Sequence, residues 1–166
     1  MLEQLKSLVQ EYAGDAIITN PAIPNDRNEE AVGLASHSIL DGLKNAVSTG
    51  GVGEVSNMFN GGEQQVAQSA VTQNIKGNFV EKLMSKLGLD HGMASQIASS
   101  LIPMVMGKLV HKTNDPADSS FDLSSILGSL TGGGNVGDVL GKLTGSNKTD
   151  TNEGGGLMDK LKGLFN

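Results

Sequence analysis

A ten-residue unit recurs along the chain and restricts the folds open to it. Val136-Gly137-Asp138-Val139-Leu140-Gly141-Lys142-Leu143-Thr144-Gly145 reads like Leu123-Ser124-Ser125-Ile126-Leu127-Gly128-Ser129-Leu130-Thr131-Gly132, at an offset of 13 residues. A looser copy, Leu157-Met158-Asp159-Lys160-Leu161-Lys162-Gly163-Leu164-Phe165-Asn166, closes the sequence. An earlier relative is Val52-Gly53-Glu54-Val55-Ser56-Asn57-Met58-Phe59-Asn60-Gly61. Each unit is two or three helical turns with one apolar stripe, punctuated by Gly. Helices this short are not stable alone in water. They must bury the stripe on the rest of the chain, on another copy, or on a membrane.

The remaining pattern is also helical. Leu2, Leu5, Val9, Tyr12, Ala13, Ala16 and Ile17 form one stripe and predict a helix over roughly 2–18. Asn20-Pro21 and Ile23-Pro24 stop it, since Pro disfavours the α conformation in the preceding residue. Asp26 with Glu29 suggests a capping box, opening a second helix over about 27–48. A third pattern runs from Val66 to Leu87, with a bend or break expected at Gly77. Gly88 suits a left-handed C-cap and Asp90 the next N-cap. The last long helix, about 91–112, is apolar nearly all round, which belongs at the centre of a bundle. Pro103 should kink it or end its first half. No alternating β-branched run is present.

The expectation is an all-α fold: a multihelical bundle over 1–112, then a tail over 113–166 carrying short amphipathic helices at 123–132, 136–145 and 157–166 on Gly-rich linkers. Composition agrees. Of 23 Gly, 11 fall in the tail. With no Trp and four Phe, the core must be aliphatic.

The opening Met1-Leu2-Glu3-Gln4-Leu5, the turn Asn20-Pro21-Ala22-Ile23-Pro24-Asn25, and Leu87-Gly88-Leu89-Asp90 leading into Ile102-Pro103 resemble the YidB-like bacterial family of unknown function. The resemblance lies on residues 1–112, and on the tail by composition. It implies an all-α multihelical fold and a bacterial source. It implies no activity and no site residues.

Chemistry finds little footing. Net charge is −6, no basic stripe exists, and stacking aromatics are scarce, which argues against nucleic acid as a partner. Without Cys there is no thiolate nucleophile or thiolate metal site. His37 has Asp41 at the i+4 position, but no third ligand accompanies them. His91 falls at a helix start, and His111 near a helix end that suits a cation. Glu29-Glu30 complements a helix N-terminus. The runs Gly132-Gly133-Gly134 and Gly154-Gly155-Gly156 follow no strand and lack the Gly-Lys-Ser/Thr ending of a phosphate loop. No catalytic, cofactor-binding or metal residue is assigned. For Met93, Met104 and Met106, core packing is the first reading and an adaptable partner groove the second.

These observations point to a non-enzymatic structural or interaction protein that self-associates by docking short tail helices in grooves. The anchors are Leu123, Ile126, Leu127 and Leu130, then Val136, Val139, Leu140 and Leu143, then Leu157, Leu161, Leu164 and Phe165. The expected partner is another copy, in an oligomer or a filament, with a different protein as second choice. The alternative is a peripheral membrane protein using 157–165, where Lys160 and Lys162 flank the apolar side. Met1–Lys6 has no basic segment followed by an apolar run, and Ile97–Val110 is too short to span a bilayer. A cytoplasmic location is expected.

Overall fold

The structure is a computed structural model and describes residues 1–49, 51–115, 121 and 123–130. These residues belong to one compact unit, Met1–Val136. The order of elements is α1 (Leu2–Tyr12), a π-helical turn (Gly14–Ile18), a 3-10 turn (Asn25–Arg27), α2 (Asn28–Ser48), α3 (Val52–Asn60), α4 (Gly62–Gln68), α5 (Ala70–Leu87), α6 (His91–Asn114) and α7 (Leu123–Leu130). Among the described residues there is no strand, and the fold is all-α and multihelical.

The first apolar stripe is one helix followed by a wider turn. Ile18 and Thr19 donate to the carbonyls of Ala13 and Gly14, five residues back, at 3.1 and 2.9 Å. Widening by one residue keeps Leu5, Val9, Ala13 and Ile17 buried together while Ile18 faces outward.

The second helix starts later than a capping box would put it. Asp26 lies in the 3-10 turn, and α2 begins at Asn28 without a side-chain cap. Arg27 takes over the junction. Its guanidinium donates twice to Glu30 Oε2, at 3.0 and 2.9 Å, and to the Lys86 carbonyl at 2.8 Å. Glu29 is held instead by Lys6, at 3.1 Å.

The break in the third pattern falls at Ser69, not at Gly77. Ser69 is extended, and its Oγ accepts from the Thr72 amide at 3.1 Å, capping α5. The same hydroxyl lies 3.3 Å from Met58 Sδ on α3. Gly77 continues α5 as ordinary helix. Gly88 ends it at φ +70°, and Asp90 Oδ1 accepts from the Met93 amide at 3.1 Å to start α6, both as the local sequence indicates.

Helix α6 occupies the centre, packed against α1, α3, α4 and α5. It runs unbroken through Pro103. Interior Pro costs about 3 kcal/mol. Leu101, Ile102, Val105 and Met106 are buried completely on both sides of it, and each contributes ~1.5–3 kcal/mol. Burial outweighs the lost hydrogen bond, so both halves stay in line. By length and mean hydropathy, 1.2, this helix meets the measure of a membrane span, with 56% of that window buried in the bundle. Met106 packs in the core, but Met93 and Met104 are 40% and 47% exposed. Core packing therefore accounts for Met106 alone.

Candidate docking site for the repeated helix

The buried face of α2, the helix on which α1, α5, α3 and α7 all pack, is built from Ala31, Val32, Ala35, Ile39, Leu43 and Val47. They recur at three- and four-residue intervals, so they line one side of α2. Ser36 and Ser38 are buried with them without penalty. Their hydroxyls donate to the Val32 and Leu34 carbonyls, each at 2.8 Å.

Two copies of the unit pack on α2, as α3 and as α7. In α3 the fourth, fifth and eighth positions, Val55, Ser56 and Phe59, are buried. In α7 the same positions, Ile126, Leu127 and Leu130, are buried. The third position is exposed in both, as Glu54 and Ser125. Shared spelling thus corresponds to a shared buried face. One difference is the seventh position. Met58 is buried against Ser69, whereas Ser129 is exposed and bonds back to the Ser125 carbonyl at 2.8 Å.

Leu123 opens α7. The anchors Val136, Val139, Leu140, Leu143, Leu157, Leu161, Leu164 and Phe165 lie outside the described residues. So do Pro116–Ser120 of the expected linker. Phe121 was not foreseen as an anchor. It is buried and borders a cleft of about 200 Å³ with Gln4, Leu8 and Lys112. A large apolar residue between a polar linker and the first repeat was its signal. The other copies have no aromatic two residues ahead of the unit.

The early copy is also tied down at its end. Asn114, the last residue of α6, donates from Nδ2 to the Phe59 carbonyl at 2.7 Å. Carbonyls in a last helical turn lack intrahelical partners, and this contact supplies one.

The titratable groups are engaged separately rather than together. His37 Nδ1 donates to the Gly33 carbonyl at 2.8 Å, while Asp41 pairs with Lys82 at 2.9 Å. His91 borders a cleft of about 480 Å³ between α5 and α6. His111 is in the last turn of α6. Among the described residues, no group of three or more His, Asp or Glu is placed to hold a metal.

The described residues define an all-α bundle in which two copies of the unit, α3 and α7, both pack on α2. A family model described as a bacterial protein of unknown function (DUF937) matches residues 69–164, more than half of the chain. The chain belongs to that family, in keeping with the resemblance read from the sequence. The match begins at the Ser69 cap and runs through the repeats. It leaves out Met1–Leu5 and Asn20–Asn25, on which part of the resemblance rested. No curated protein and no solved structure matches the chain.

Proposed function

We propose that this is a non-enzymatic structural or interaction protein that self-associates by docking the repeated helix of one copy on the bundle of another. The observation that supports this is the common buried face of α3 and α7. Positions four, five and eight are buried in both, and Val139, Leu140 and Leu143 hold those positions in the next copy.

A helix of eight residues is not stable alone in water, so α7 depends on the burial of Ile126, Leu127 and Leu130, and the same dependence holds for a repeat offered by a neighbour. Head-to-tail docking of this kind gives rings or open filaments, and several weak units on one chain add avidity.

Light scattering of the full chain over a concentration series tests the reading. Mass should rise with concentration, and Leu140→Asp should reduce that rise by placing an unpaired charge on the apolar stripe. A wild-type chain that stays monomeric at high concentration would contradict the proposal.

A further inference from the structure

An exposed stripe runs along the outer side of α6. Met93, Gln96, Ser100 and Met104 follow one another at intervals of three and four residues, so they form one stripe. The two Met ends are 40% and 47% exposed, among the few large apolar side chains of the bundle left in solvent. Opposite them stands the π-helical turn. Between turn and stripe lie two clefts, of about 370 and 340 Å³, that share Asp15, Ala16 and Ser100. From Met93 to Met104 the stripe is ~16 Å long at 1.5 Å per residue. That length takes a helix of up to about eleven residues.

The rim carries one sign of charge. Glu11 and Asp15 border the groove, and among the described residues no Lys, Arg or His lines either cleft. Both carboxylates are exposed, and the Thr19 hydroxyl donates to Asp15 Oδ1 at 3.5 Å. Two lysines approach from the neighbouring elements: Lys112 shares an adjoining cleft with Glu11 and Phe121, and Lys108 lies over Tyr12. The Lys108 ammonium sits 6.0 Å from the Tyr12 ring centroid and 3.5 Å from Glu63 Oε1, so its charge is directed to α4. An occupant must therefore be short, apolar on one side, and basic at its edges.

One copy of the repeat has that chemistry. Val136–Leu143 carries Asp138 beside Lys142, and Leu123–Leu130 carries no charge. Leu157–Phe165 carries Lys160 and Lys162 against Asp159 alone, with Leu157, Met158, Leu161, Leu164 and Phe165 to bury. We infer that the groove between the π-helical turn and α6 receives the segment Leu157–Phe165 of a second copy of this chain. Its leucines and Phe165 cover Met93 and Met104, and Lys160 and Lys162 meet Glu11 and Asp15. Met suits such a surface, because its flexible, polarisable side chain adapts to the partner. The inference rests on the self-association proposed above and assigns it a second pair of surfaces.

Charge exchange in the full-length protein tests it. Association is measured by sedimentation velocity for the wild type, for Glu11→Lys with Asp15→Lys, for Lys160→Glu with Lys162→Glu, and for all four together. Each pair of reversals should weaken association about tenfold, and the fourfold variant should recover most of it. Circular dichroism of each variant checks folding, and Glu11 and Asp15 are chosen because they are exposed. Association that is unchanged by both reversals, while Leu140→Asp still reduces it, overturns this surface and leaves the repeat-docking proposal standing. A monomeric wild type overturns both. Lys160→Glu with Lys162→Glu that abolishes flotation with phosphatidylserine vesicles, with association unaffected, assigns the segment to a membrane and also overturns it.

Discussion

The side-chain amide of Asn114 donates to the Phe59 carbonyl across 2.7 Å, joining the last residue of α6 to the last turn of α3. It links the central helix to the early copy of the repeat, whose Met58 also receives the Ser69 hydroxyl at 3.3 Å. Asn114→Ala should cost about 1–2 kcal/mol, because a partly buried carbonyl loses its partner. Urea denaturation would show a lower midpoint with an unchanged slope.

The closest approach of α2 and α5 is set by Gly42. A Cβ placed there would overlap Ile75 Cγ1. Gly42→Ala should destabilise: overpacking costs about 1–3 kcal/mol, against a gain of at most ~1 kcal/mol in helix propensity. Gly77→Ala provides the contrast. Nothing lies within 4 Å of a Cβ at that position, so this change should stabilise by up to ~1 kcal/mol. Thermal melts of the two variants should move in opposite directions.

Ser56 occupies the repeat position that holds Leu127 in α7. It is buried, and its Oγ has no hydrogen-bond partner among the described residues. Ser56→Ala removes an unsatisfied hydroxyl and should leave stability unchanged or raise it by up to ~1 kcal/mol. Chemical denaturation would reveal a measurable loss if the hydroxyl were in use.

Leu127→Asp should be among the most damaging single changes in α7. Leu127 is 2% exposed. An unpaired buried carboxylate costs several kcal/mol, so α7 should detach rather than hold it. Limited proteolysis should then cleave within 121–130 faster than in the wild type. Ser129→Asp, on the exposed side of the same helix, should not change the cleavage pattern.

Much of the fold was legible because its signals are local. The caps at Gly88 and Asp90 need only a left-handed backbone and one short acceptor, both encoded at the site itself. The central place of α6 follows from an apolar surface with hardly any polar face. The repeat was legible as spelling, and α3 and α7 give its stripe a physical meaning. Val55 matches Ile126, and Phe59 matches Leu130.

Other features depended on partners distant in sequence. The helical period runs through Ser69 without interruption, so the apolar pattern carries no sign of the break. The Ser69 hydroxyl selects it by capping α5 while facing Met58. Asp26 had a suitable spacing for a capping box. Arg27 reorganised that junction by reaching the Lys86 carbonyl, 59 residues away. Met93 and Met104 share a helix and a residue type with Met106, yet only Met106 is enclosed. Periodicity specifies which residues of a helix share a face. Which face meets a neighbour depends on how many helices pack around it.

The sequence by itself determined that this chain is helical, that its caps fall where they do around 88–90, and that a short amphipathic unit recurs. Helical period and cap chemistry are properties of neighbouring residues. Only the tertiary structure decided that α2 receives two of those units, that α6 leaves a Met-ended stripe in solvent, and that Glu11 and Asp15 stand beside it. These relations join residues far apart in the chain, and packing alone brings them together.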